Sequence, residues 1–204
     1  PFGDSRVKFE QASRRFNDSA WRQKITASWE YPEEGYVIDH LTPEFYLPYF
    51  KRLLESFPQP EIDLTQSYFI DSWEVETRYL WTKDFDKDFQ KKFGYDITPY
   101  MDSIYKKGYE KYLYDYMSLI SDKVVTFYDN YDSVLNAHGI LSRGQCSGAP
   151  CDIISAYARL DIPEGEAMLY EPEFNSIPAS AAALSGKKTV SAETFTCLYG
   201  WPRD

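Results

Sequence analysis

The sequence predicts an α/β fold: a partial (β/α)8 barrel of the TIM type, built on parallel strands and truncated at both ends. Two observations carry that expectation. Short apolar runs alternate with longer amphipathic stretches, which is the pattern of strand-then-helix units packing a parallel sheet. The chain also has 204 residues, at the short limit for a complete eight-fold barrel of about 250. It begins at Pro1 and ends at Asp204, just after a Trp-Pro pair, and both ends read as cut. No linker, low-complexity stretch or internal repeat divides it, so residues 1–204 are expected to form a single barrel fragment.

The first strand is expected at Ile25 to Trp29, closing on Glu30. Thr42-Pro43-Glu44 then opens a helix, with a capping hydroxyl before a proline at the first helical position. Apolar residues recur at helical spacing from Phe45 to Phe57. A strand follows from about Leu64 to Ile70 and ends in Asp71-Ser72-Trp73-Glu74. Asp84 to Phe93 is a short helix stopped by Gly94. A longer one is expected from near Pro99 to about Tyr128, with Met101, Ile104, Tyr105, Tyr109, Tyr112, Leu113, Tyr116 and Ile120 on one face. Gly139 to Arg143 reads as a strand, Asp152 to Tyr157 as a short helix, and Ala158 to Ile162 as a strand closing on Pro163-Glu164-Gly165-Glu166. The alanine-rich stretch Phe174 to Leu184 is a helix ended by Ser185-Gly186, and Thr189 to Ala192 is a strand that ends at Glu193. About five strands result, most of a barrel and not a closed one.

Composition narrows the function. A formal net charge of −10 without a basic patch argues against nucleic acid. No stretch approaches the roughly 20 apolar residues that span a bilayer. The three cysteines, Cys146, Cys151 and Cys197, make no CxxC pair and no zinc spacing. They read as core thiols, with a Cys146–Cys151 bridge across the intervening turn as the alternative. Aromatic residues reach 18%. Most of them serve a core, but the excess favours a glycan, whose C–H faces stack on such rings. A glycan substrate in turn favours a secreted or periplasmic setting, which the sequence itself does not fix.

Three expected strands end in acids: Asp71 with Glu74, then Glu164 with Glu166, then Glu193. Barrel enzymes keep their catalytic groups at that edge, and glycoside hydrolysis needs two carboxyl groups, one protonated and one ionised. Acids sharing one mouth push each other's pKa values apart. With 32 acidic residues in the chain, some also fall after strands as caps or solvated loop residues. His40 and His138, the two histidines, and Trp73 and Arg143, at strand ends, are candidates to grip or stack on a sugar. Each has a structural alternative, as a helix-end histidine or as packing and pairing with an acid.

The wording of four blocks adds a resemblance. Ser67-Tyr68-Phe69-Ile70-Asp71-Ser72-Trp73-Glu74, with Trp81-Thr82 and Phe89-Gln90-Lys91-Lys92-Phe93-Gly94-Tyr95-Asp96 after it, resembles the glycoside hydrolase family 106 α-L-rhamnosidases. So do Gly35-Tyr36-Val37-Ile38-Asp39-His40-Leu41, Asp161-Ile162-Pro163-Glu164-Gly165-Glu166 and Val190-Ser191-Ala192-Glu193-Thr194-Phe195-Thr196. The blocks follow the family's order from about residue 30 onward. The resemblance implies inverting, calcium-assisted removal of terminal α-L-rhamnose from an oligosaccharide or polysaccharide. Glu74 would be the general acid and Glu193 the general base. Glu166 and Glu164, with Asp71 nearby, would hold calcium, a hard cation that takes oxygen ligands, or sugar hydroxyls. Asp71, Trp73, His40, His138 and Arg143 would bind the substrate. Val75 is larger than the residue expected after the acid. The family's first barrel strands and accessory domains are expected to lie outside residues 1–204, so the expected partners include the missing parts of its own parent chain.

Two other readings use the same residues. A retaining glycosidase would use Glu74 as acid/base and Glu193 as nucleophile, and carboxylate separation distinguishes the two: about 5–5.5 Å when retaining, about 6.5–9.5 Å when inverting. A non-catalytic glycan-binding barrel would keep the aromatics and not the chemistry.

Overall fold

The computed structural model of the chain describes residues 38–56, 66–73, 79–166 and 172–194. Within these, two compact units are found, the first from residues up to Leu53 and from Glu74 to Lys123, the second from Leu54 to Trp73 and from Val124 onward.

In the first unit, helix α1 (Pro43–Ser56) starts at the expected proline. Its entry is fixed by Asp39, whose buried carboxylate accepts from the Leu41 N–H at 2.8 Å and from the Thr82 hydroxyl. Helix α2 (Phe85–Phe93) buries Phe85 and Phe89, one turn apart, on its apolar face. Full burial of such rings contributes roughly 1.5–3 kcal/mol each. Asp86 and Asp88 lie in its first turn and Lys91 and Lys92 in its last, each sign at the helix end that favours it. The helix stops at Gly94, which takes φ 82° and returns its N–H to the Gln90 carbonyl. A Cβ at Gly94 would meet open space, so Gly94→Ala isolates the conformational penalty. A loss of about 1–2 kcal/mol is expected, read as a small drop in thermal midpoint.

The long helix differs from the sequence expectation. Residues Thr98–Ser103 form a 3-10 turn, Gly108 takes φ 94°, and helix α3 runs Glu110–Asn136. A left-handed glycine cannot continue a right-handed helix, and the Glu110 carboxylate caps the restart by accepting the Gly108 N–H at 3.0 Å. Met101, Ile104 and Tyr105 share helical phase with the later residues but belong to the turn. From Tyr116 the α3 core face is regular: Leu119, Ile120 and Val124, then Phe127, Tyr128, Tyr131 and Leu135 are all buried. Tyr116 pins the chain before α2, its hydroxyl donating to the Leu80 carbonyl at 2.6 Å. Among the described residues no helix is long and apolar enough to cross a membrane.

The second unit holds a four-stranded parallel sheet in sequential order, β1 (Ser67–Ile70), β2 (Leu141–Gly144), β3 (Ile162–Glu166) and β4 (Ser191–Glu193). The fold is therefore α/β with each strand beside its predecessor, an order consistent with part of a barrel. The expected strand at Ile25 to Trp29 lies outside the described residues. Helices α4 (Ile153–Tyr157) and α5 (Pro172–Ser185) fall close to their expected places, α4 capped by Asp152 through the Ser155 N–H.

Strand β3 corrects the sequence reading. Ala158 to Leu160 close turns onto α4, with Leu160 fully buried, and the strand begins only at Ile162. Pro163 is tolerated because it stands at a handover. β3 pairs with β2 through Ile162 and Pro163, and with β4 only from Glu164, so the missing N–H breaks no run of ladder bonds. Glu164 and Glu166 are thus inside the strand, not beyond it, and their side chains share a face. The other face meets the helices. Ser142 hydrogen-bonds Asp132 of α3, and a Cβ on Gly165 would press within 3.0 Å of Asn175 and 3.2 Å of Pro178 in α5.

Candidate active site

Strand register decides which side chains meet. On the face turned from the helices, β2 presents Arg143 and, one step past its end, Gln145. β3 presents Glu164 and Glu166, and β4 presents Ser191 and Glu193. Glu164 pairs with Ser191 and Glu166 with Glu193, so both acid positions of β3 have direct neighbours on β4.

Glu164 is only 5% exposed, and a carboxylate that deep must be compensated. Its Oε2 accepts the Ser191 hydroxyl at 2.6 Å, and its Oε1 accepts Gln145 Nε2 at 3.3 Å. Arg143 Nε lies 3.2 Å from Oε2 without its N–H aimed at it, an ion pair rather than a hydrogen bond. The guanidinium also lies over the Phe69 ring, 5.0 Å from its centroid, a cation–π contact. Glu193, half-buried, accepts the other half of the same amide: Gln145 Nε2 is 2.8 Å from its Oε2. One amide nitrogen therefore bridges two carboxylates on two strands.

The remaining candidates are placed differently. Asp71 is exposed at the carboxyl end of β1, where its Oδ1 accepts the Ser72 N–H at 2.8 Å. Trp73 donates its backbone N–H to the Ser147 carbonyl at 2.9 Å and sets its ring edge-on to Phe127 of α3, 6.4 Å between centroids. Its ring therefore packs on a helix, the structural role, and is not held out as a sugar platform. Glu74 lies outside the described residues. His138 is exposed before the amino end of β2, its ring Nδ1 2.9 Å from the Val134 carbonyl, so it terminates α3 at the pole opposite the acids. His40 belongs to the first unit. Burial pushes its imidazole down to about 4 against a stabilising contact with Ile38, so it is neutral at pH 7.

That shift makes a stability prediction. The folded pKa lies below the unfolded value of 6.5, so below pH 6.5 only the unfolded chain takes up the proton. Stability is then lost as pH falls from 6.5 toward 4 and levels off below. A thermal midpoint that declines over this window in the wild type, and declines less in His40→Gln, is the expected result.

Glu166 and Glu164 are the residues expected to hold calcium, and at Glu164 the donors are already engaged. Calcium takes six to eight oxygens with free lone pairs. Here both carboxylate oxygens accept protein donors and an arginine already supplies the positive charge. Among the described residues no group of three or more His, Cys, Asp or Glu could hold a metal ion. Cys146 and Cys151 are free thiols, both with pKa values raised mainly by burial; Cys197 lies outside the described residues.

Sequence reasoning passed over Gln145 and gave Ser191 no role. The available signal was position: a neutral amide one residue beyond Gly144, between a strand end and a buried Cys146.

Acids gathered at the carboxyl edge of a parallel sheet are the setting of carbohydrate-cleaving enzymes, and the comparisons place the chain among the glycoside hydrolases. Residues 32–202 match the model of the alpha-L-rhamnosidases, glycoside hydrolase family 106. The chain belongs to that family. It is also 29% identical over 147 residues to a Formosa agariphila protein named "Putative beta-glucuronidase", an alignment covering 65% of this chain and 12% of that protein. The chain thus spans about an eighth of that relative's length. No solved structure matches it.

Proposed function

We propose that the complete protein removes terminal α-L-rhamnose from oligosaccharides or polysaccharides by an inverting mechanism with two carboxyl groups. The sheet is then one part of a (β/α)8 barrel whose carboxyl edge is the active site. Family membership supports the substrate class. The single observation that carries the chemistry is Glu193, at the end of β4, with one oxygen accepting an amide donor and Glu166 as its register partner.

Glu193 takes a proton from water as the oxygen attacks the anomeric carbon. Glu74 gives its proton to the glycosidic oxygen as the C–O bond breaks, so the sugar leaves with inverted configuration. Ser191 and Arg143 act on Glu164 and not on the sugar.

The test is to incubate the complete protein with 4-nitrophenyl α-L-rhamnoside and, separately, with 4-nitrophenyl β-D-glucuronide, following the first-formed sugar by NMR. Release of β-L-rhamnose from the first substrate alone is the expected result. First-formed α-L-rhamnose would make the enzyme retaining and Glu193 a nucleophile. Cleavage of only the glucuronide would move the substrate to that of the Formosa relative's name.

A further inference from the structure

We propose that Gln145 is the positioning residue for Glu193: its buried amide, braced on the Arg143–Glu164 pair, fixes the carboxylate's rotamer so that one oxygen faces the attacking water. The inference rests on the reading of Glu193 as the base and adds how that base is aimed.

The backbone of Gln145 is tied on both sides. Its N–H continues the β1–β2 ladder to the Ile70 carbonyl at 3.0 Å, and its carbonyl accepts the Tyr128 hydroxyl at 3.4 Å. Its side chain is fully buried. The amide therefore has little freedom to turn, and its orientation follows from charge: the NH2 carries two protons and faces two carboxylates, whereas its oxygen there would repel both. One proton goes to Glu164 at 3.3 Å and the other to Glu193 at 2.8 Å. Oε1 of Gln145 is buried without a hydrogen-bond partner. An amide kept with an unpaired acceptor is costly, and the cost is accounted for by what its nitrogen does.

Glu164 supplies the anchor. Held by Ser191 and Arg143 as well as by Gln145, it fixes the amide plane, and the amide in turn holds Glu193 Oε2. The second oxygen of Glu193 is left for water. Without the donor, Glu193 would be free to turn about its side-chain bonds. A misplacement of about 1 Å in a reacting group costs about 10²-fold in rate.

The experiment compares Gln145→Met, similar in length and without donors, in the wild-type and Glu193→Gln backgrounds of the complete protein. The readouts are kcat and KM on 4-nitrophenyl α-L-rhamnoside. In the wild-type background kcat is expected to fall about 10²-fold with KM within about threefold. In the Glu193→Gln background the same substitution should change kcat by less than about threefold, because a residue acting through Glu193 has nothing left to aim. An equal loss in both backgrounds, or no loss in the wild type, overturns the proposal. If Glu193→Gln turns over like wild type, the base assignment falls instead, so the two failures are told apart. Should Gln145→Met not fold, judged by near-UV circular dichroism, Gln145→Asn, which keeps the amide and withdraws the donor by one methylene, carries the same comparison.

Discussion

Glu193→Gln in the complete protein is expected to lower kcat on rhamnosides by about 10²–10⁴-fold, the range that a positioned general base contributes. The substitution keeps the shape and can still meet a neighbour, so the fold should survive. Its hydrogen bond from Gln145 needs only an acceptor, and the amide oxygen of the new residue provides one. What disappears is the ability to take a proton from water, and that loss does not depend on the leaving group. Glu74→Gln should behave differently. Its role is to protonate the departing oxygen, so the loss should be severe for an alkyl rhamnoside and much smaller for a nitrophenyl rhamnoside, whose phenolate leaves unaided. The pair of variants on the pair of substrates thus separates base from acid. Equal losses for both variants on both substrates would remove the acid assignment from Glu74, and wild-type turnover in Glu193→Gln would remove the base.

How far these roles were legible in the sequence depended on whether the information was local. Helices α1, α2, α4 and α5 were readable because capping residues and stop glycines are written within one turn: Pro43 at the start of α1, Gly94 in the left-handed conformation after α2, Asp152 before α4. Strand β3 was misplaced because Pro-Glu-Gly-Glu has turn composition. What makes it a strand is burial between two neighbours, one pairing with its first half and one with its second, and that is tertiary. The break at Gly108 was missed for the converse reason, since tyrosines before and after it share a helical phase. At the site, the acids at 164, 166 and 193 stood out by charge. Their relations did not: that Glu164 is neutralised by Arg143, and that one amide serves Glu164 and Glu193 together, depends on the register of three strands. His138 was attractive by type alone, and its position after α3 puts it at the wrong pole.

Gly148→Ala should be the most damaging small substitution in the second unit, and the reason is again non-local. Gly148 has φ 74°, and a Cβ there would lie 2.4 Å from the backbone oxygen of Trp73. No rotamer relieves a clash with backbone, and the preceding residue, Ser147, already accepts the Trp73 N–H at 2.9 Å. The loop after β2 and the chain after β1 are thus locked at two adjacent points. The left-handed conformation costs about 1–2 kcal/mol for a residue with a Cβ, and forced overpacking about 1–3 kcal/mol more. A loss of about 2–5 kcal/mol is expected, against about 1–2 kcal/mol for Gly94→Ala, where φ is similar and the space is open. Denaturant titration of the two variants side by side measures the difference, and equal losses would show that the Trp73 contact carries no load. The displacement should also reach function. Trp73 immediately precedes Glu74, so a shifted backbone moves the proposed acid, and kcat on an alkyl rhamnoside should fall further than on a nitrophenyl rhamnoside. Gly94→Ala, in the other unit, should leave that ratio unchanged.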